Sequence, residues 1–194
     1  MKAMRGAAVA AVVVAMLGAA WAVKSQEKGD DAKKGAAAEM QLPKPGPEQT
    51  KLNFLIGSWT MTGEYSKSPM TPDGGKEKGW YKAQAGPGGF SVLADFNVEG
   101  PWGPEIGHEV LTWTPWKKAY TVMTVGNAFP GAVMGTGNWE GENLAIESTF
   151  VMGTEESQMR AVYSNITEKS VHMEEFVKGK DGAWVPIWKG DATK

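Results

Sequence analysis

The residue types that could carry acid–base or metal chemistry are scarce in this chain. It contains two histidines, His108 and His172, and no cysteine. Glu174 follows His172 by two positions, so the two side chains share a face if this segment is a strand. Imidazoles and carboxylates could hold a metal ion or form an acid–base pair if they converged. No compact ligand spacing is present, so we expect ordinary strand histidines, no metal and no cofactor.

Arginine is equally rare, because Arg160 is the only one beyond residue 22. Its planar guanidinium could hold an anionic head group inside a binding site. Alternatively, it could stack on Trp59 in a structural cation–π contact. The sequence favours the structural role and leaves the other open.

Tryptophan is abundant, with nine residues in the chain. Aromatic side chains can line a pocket for an apolar ligand, but they also fill a core that has no disulfides. Trp102 lies in a Gly/Pro-rich segment, which predicts a loop that could act as a lid or a contact surface. The candidate ligand-binding residues are Trp80, His108, Arg160, His172, Glu174 and Trp188, and the candidate structural residues are Gly57 and Trp59.

The elements that must position these side chains are short strands. From residue 58 onward, apolar residues recur with period two, and turn signals such as Pro130-Gly131 separate the segments. About ten strands result, without helices long enough for parallel βαβ units. We predict an all-β, antiparallel, up-and-down barrel, since closure removes exposed edges. A short helix over residues 47–55, stopped by Gly57, should cap it.

The N-terminal part is predicted to be a separate segment. Lys2 and Arg5 precede an uncharged apolar stretch at residues 7–20, and Ala20-Trp21-Ala22 forms an A-x-A cleavage site. This order is typical of a signal peptide over residues 1–22 and of export to the periplasm or outside the cell. Residues 23–48 are charged and proline-rich, which predicts a disordered tether. The barrel domain should then occupy residues 49–194.

Composition narrows the functional classes. The formal net charge is −2 and no basic block is present, which argues against nucleic-acid binding. No apolar run after the predicted signal peptide is long enough to span a bilayer as a helix. The lack of cysteine excludes thiol catalysis and disulfides.

Several motifs together resemble one known family. The chain has Gly57-Ser58-Trp59 at the start of the first strand, after residues 43–48 (PKPGPE), and it closes with Asp181-Gly182-Ala183-Trp184 and residues 189–194 (KGDATK). Gly-x-Trp resembles the signature of lipocalins and other calycin barrels. The whole pattern resembles the bacterial family called domain of unknown function 1579, over most of residues 43–194. This resemblance implies an exported calycin-like barrel without an established reaction.

The first strand also resembles nitrobindin, a ten-stranded haem barrel. Proteins of that kind need a proximal histidine close to the C-terminal end, and this chain has none after His172. We therefore expect no haem.

Three functions follow from these features. The leading hypothesis is non-catalytic binding of a small apolar ligand in the barrel lumen. The second is an envelope enzyme that uses His108 or His172 with lumen carboxylates, for which Glu109, Glu147, Glu174 and Glu175 are candidates. The third is an interaction module whose loops contact a partner protein.

Overall fold

A computed structural model describes residues 42–68, 71–152 and 155–194. The predicted signal peptide and residues 23–41 of the predicted tether lie outside these residues. The described residues from 42 onward form one compact unit. None of their helices is both long enough and apolar enough to cross a membrane.

A short helical segment precedes the barrel, as the sequence predicted. An α-helix, α1, spans Pro47–Thr50 and a 3-10 turn spans Lys51–Leu55. Proline at the first helical position suits the start of a helix, because its missing N–H would have no partner there. Two side chains of this segment, Leu52 and Leu55, are buried in the core. The segment therefore closes one end of the barrel, and we call this end the floor.

Ten antiparallel strands form the wall, joined in sequence order and closed by pairing of the first strand with the last. The strands are β1 Gly57–Tyr65, β2 Gly75–Ala85, β3 Ser91–Gly100, β4 Gly103–Thr114, β5 Ala119–Gly126, β6 Ala132–Glu140, β7 Asn143–Met152, β8 Glu155–Ser164, β9 Ser170–Lys178 and β10 Trp184–Thr193. The predicted ten-stranded up-and-down barrel with a capping helix is confirmed. Closure pairs every strand on both sides, so no edge remains exposed.

Apolar packing is concentrated in the floor half of the lumen. Leu52, Leu111 and Leu144 are fully buried there. Tyr120 is buried beside them and its hydroxyl donates to the Glu48 carboxylate at 2.9 Å, which ties α1 to β5. A cavity runs beside this packing from the floor to the other end of the barrel.

Candidate ligand site

The barrel encloses a cavity of about 540 Å³ that reaches from the floor to the opposite end, which we call the mouth. Leu55 and Trp59 line it at the floor, whereas Trp102 and Ile106 line it at the mouth and are about half exposed. A cavity of this size is within the range of sites for small organic ligands.

Most of the cavity wall is apolar or aromatic. Strand alternation sends every second side chain inward, and the inward set of the ten strands is rich in Met, Val, Phe and Tyr. The apolar and aromatic wall residues are Trp59, Met61, Tyr65, Tyr81, Phe96, Val98, Val133, Phe150, Met159, Tyr163, Val171, Met173, Ile187, Trp188 and Ala192.

Four carboxyl groups interrupt this wall: Glu77 on β2, Glu105 and Glu109 on β4, and Glu175 on β9. The Tyr65 hydroxyl donates to Glu77 at 3.0 Å.

Glu109 accepts from the Tyr81 hydroxyl at 3.0 Å and from the Thr124 hydroxyl at 3.2 Å. These bonds offset part of the cost of burying a carboxyl group. The lining of the cavity includes no lysine, arginine or histidine among the residues that the structure describes.

Burial and mutual repulsion shift the titration of these carboxyls. Burial, together with the charges of Glu77, Glu105 and Glu109, raises the pKa of Glu175 to about 7. Burial also raises the pKa of Glu109, although its bonds from Tyr81 and Thr124 work in the opposite direction. Near neutral pH this cluster therefore holds more protons than four exposed carboxyls would.

Trp188 owes its inward position to a bulge in β10. The register of β10 with β9 shifts between Pro186 and Trp188, which brings Ile187 and Trp188 to the cavity together. The Trp188 ring lies against the backbone of Gly63, where a Cβ atom would overlap it. Glycine at position 63 is thus required for this close approach.

The Trp188 indole N–H is buried and lies beside the Glu77 carboxyl. Burial raises the pKa of Glu77, whereas the interaction with this N–H lowers it.

At the mouth, aromatic side chains and one amide hold the loops. Trp102, in the β3–β4 turn, contacts Tyr65 with ring centroids 4.8 Å apart. Phe129, in the β5–β6 loop, contacts Phe150 at 4.9 Å. Asn127 accepts from the Ile106 N–H at 2.8 Å, which fixes this loop to β4.

Of the six side chains proposed from sequence to bind a ligand, Trp188 lines the cavity. Trp80, His108, Arg160, His172 and Glu174 do not line it. Their strands were assigned correctly, but alternation directs these five side chains to the outer face of the barrel.

The outward side chains have partners on the outer face. Lys82 Nζ lies 4.8 Å from the Trp80 ring centroid. His108 Nδ1 and Asp95 Oδ1 are 2.6 Å apart, and His172 Nδ1 and Asp191 Oδ1 are 2.8 Å apart. The two His–Asp pairs are cross-strand neighbours on one face, whereas Lys82 and Trp80 are two residues apart on β2.

The expected contact of Arg160 with Trp59 is wrong. Arg160 pairs instead with Glu140 at 2.6 Å and Glu147 at 2.7 Å. Lys194 takes the predicted role, with Nζ 4.4 Å from the Trp59 ring centroid.

The two residues proposed as structural lie where β1 begins. Trp59 is 3% exposed, and its indole N–H donates to the Leu55 carbonyl at 2.7 Å. Gly57 has φ 135°, a conformation that favours glycine, and its Cα lies close to the Lys194 side chain.

Sequence reasoning missed five polar residues of the cavity, namely Tyr65, Glu77, Tyr81, Glu105 and Tyr163. Of the four carboxylates considered for the lumen, Glu109 and Glu175 line the cavity, whereas Glu147 and Glu174 do not. A usable signal was present in β2, where Lys76, Lys78 and Lys82 share the parity of Trp80 and mark the solvent face. The opposite parity then places Glu77 and Tyr81 inside.

Haem is not expected to bind in this cavity, because neither histidine lines it. Titration of haemin into the protein should give a broad, weak absorbance change typical of nonspecific adsorption. A sharp Soret band at one-to-one stoichiometry, lost in His108→Ala or His172→Ala, would contradict this. The described residues also include no cluster of three His, Cys, Asp or Glu side chains suited to a metal ion.

Fold and cavity define a closed ten-stranded β-barrel with a lumen of ligand size. Residues 44–194 match the family described as protein of unknown function (DUF1579), and the chain belongs to this family. Comparison with curated proteins gave no match.

Solved structures with a similar fold include Rv2717c from M. tuberculosis. It is 12% identical, with 78% of this chain and 99% of that chain covered and a TM-score of 0.55.

Two further similar structures give lower TM-scores. The S-type phycobiliprotein lyase CPES from Guillardia theta is 10% identical, with 75% and 90% covered and a TM-score of 0.47. The redesigned β-barrel mFAP1 bound to DFHBI is 13% identical, with 73% and 96% covered and a TM-score of 0.40. At these identities the likeness concerns the fold.

Proposed function

We propose that this protein is an exported barrel that binds a small, largely apolar molecule in its lumen without chemical conversion. The observation that carries the proposal is the cavity of about 540 Å³, whose wall is mostly apolar and aromatic and which reaches the mouth. Binding there would remove the apolar surfaces of ligand and wall from water.

The other two hypotheses receive less support. An enzyme based on His108 or His172 would need an imidazole in the lumen, and neither histidine lines the cavity. An interaction module would be favoured by a lumen filled with side chains, whereas this lumen leaves room for a ligand.

Export is supported by the charge and hydropathy pattern of residues 1–22. N-terminal sequencing of protein recovered from outside the cytoplasm should return Val23. Recovery of Met1 would contradict cleavage.

Lumen binding can be tested with N-phenyl-1-naphthylamine, a neutral probe that fluoresces in apolar surroundings. We expect saturable binding of one probe per barrel. Val133→Trp should reduce the affinity at least about tenfold, because Val133 is buried at the cavity wall and the larger ring would occupy the lumen.

The matched control is Met134→Trp. Met134 is the next residue, is 50% exposed on the outer face and should accept the ring without effect on binding. If Val133→Trp fails to fold, Met173→Trp provides a second lumen variant. Equal binding by lumen and surface variants, or no saturable binding by the wild type, would contradict the proposal.

A further inference from the structure

We propose that the lumen ligand is a small organic cation with an apolar or aromatic body. This inference rests on the proposed function, since it names the chemical class of the molecule in the same cavity. Two features carry it: the charge of the cavity wall and the aromatic side chains that line it.

The charge of the cavity wall determines whether a cationic or an anionic ligand is favoured. Glu77, Glu105, Glu109 and Glu175 line the cavity, and its described lining contains no basic side chain. The carboxyls act on one another, because the charges of Glu77, Glu105 and Glu109 all raise the pKa of Glu175. An ammonium group would replace this repulsion with attraction, whereas an anion would add to it.

The titratable groups around Glu175 come from four strands. Glu77 on β2 and Glu105 and Glu109 on β4 affect its pKa. Burial and, to a smaller extent, the Glu175 charge raise the pKa of Tyr65 on β1 and of Tyr163 on β8. Tyrosine stays neutral at physiological pH, so these described neighbours provide no counter-charge.

The second feature is the aromatic lining. Trp188 is 4% exposed and lines the cavity, and contact with Gly63 holds its ring close to the Glu77 carboxyl. Aromatic faces beside carboxyls suit an ammonium group that carries an apolar body.

The wall favours an organic cation over a metal ion. The described residues form no cluster of metal-ligand side chains, so these carboxyls are not arranged to coordinate one ion together. Tyr65, Tyr81 and Phe96 line the same cavity and offer aromatic faces, which attract an ammonium group and pack against an apolar body.

The test compares three probes that share one aromatic body and one hydroxyl group. They are 2-amino-1-(1-naphthyl)ethanol, 1-(1-naphthyl)ethane-1,2-diol and 1-naphthylglycolate, which are a cation, a neutral molecule and an anion at pH 7.5. By calorimetric titration, the amine should bind at least about tenfold more tightly than the diol, and the glycolate most weakly.

Substitutions test whether the carboxyls of the cavity wall cause the preference for the amine over the diol. Glu175→Gln should weaken binding of the amine about tenfold and leave binding of the diol nearly unchanged. Glu174→Gln is the matched control, since Glu174 does not line the cavity and lies opposite Lys189 in register.

The outcomes separate this inference from the proposed function. If the diol binds as tightly as the amine, or the glycolate more tightly, the lumen binds ligands but the assignment of a cation is wrong. Equal loss of amine affinity in Glu174→Gln and Glu175→Gln would also overturn it. If neither these probes nor N-phenyl-1-naphthylamine bind, the proposed function itself fails.

Discussion

Replacement of Trp59 by alanine should lower the free energy of unfolding by about 3–5 kcal/mol, as for other large buried aromatics. The ring is 3% exposed and packs with Val171 and Ala192 where the helical segment meets the barrel. The substitution would also leave the Leu55 carbonyl without the indole donor at 2.7 Å. Urea unfolding followed by circular dichroism should show a large fall in the midpoint.

Two other tryptophans provide controls. Trp116 lies in the β4–β5 turn and is 84% exposed, so Trp116→Ala should change the stability by less than about 0.5 kcal/mol. Trp102 is 49% exposed but its ring contacts Tyr65, so Trp102→Ala should cost more than Trp116→Ala and much less than Trp59→Ala. Equal midpoints for the Trp59 and Trp116 variants would show that Trp59 does not anchor the floor.

Glu175→Gln should stabilise the barrel at alkaline pH, by about 2–3 kcal/mol at pH 8, and have little effect near pH 4. In the folded protein the pKa of Glu175 is raised to about 7, whereas an ordinary carboxyl has a value of 4.5. Between these values the folded chain retains a proton that the unfolded chain has lost. The free energy of unfolding of the wild type therefore falls as the pH rises from about 4.5 to 7.

Glutamine keeps the shape of the protonated side chain and cannot ionise, so this loss should be absent in the variant. Urea unfolding of ligand-free protein between pH 4 and pH 8 measures the difference. Glu174→Gln should follow the wild type across this range, because its side chain does not line the cavity. If the free energy of unfolding depends on pH in the same way for the wild type and Glu175→Gln, the pKa of Glu175 is not raised in the folded protein.

The sequence determined the architecture of the described domain. Alternation in β3, where Val92, Ala94, Phe96 and Val98 share one parity, predicted a strand and its inner face correctly. Regular spacing of such segments, with turn residues between them, predicted ten strands and closure. These features are local, since strand period and turn chemistry depend on neighbouring residues in the chain.

The cavity residues were harder to predict, because a shift of one residue moves a side chain from the lumen to the outer face. In β9, Val171, Met173 and Val177 share the parity of Glu175, which could have placed that carboxyl inside. In β4 the pattern misleads, because Val110 shares the outward parity of His108 and is as apolar as a core residue.

The rarity of arginine and histidine in the chain also led to wrong predictions of the ligand-binding residues. Arg160, His108 and His172 stand out in the sequence because they are rare, but rarity says nothing about orientation. Each contacts a cross-strand carboxylate on the outer face.

The sequence by itself thus determined that the described chain forms a closed antiparallel barrel capped by a short helix. Only the tertiary structure decided what the barrel encloses. Four carboxyls distant in the chain meet because closure brings β2, β4 and β9 around one lumen, and burial then shifts their titration. The bulge in β10 turns Trp188 inward against Gly63, a contact across strands that no local pattern encodes.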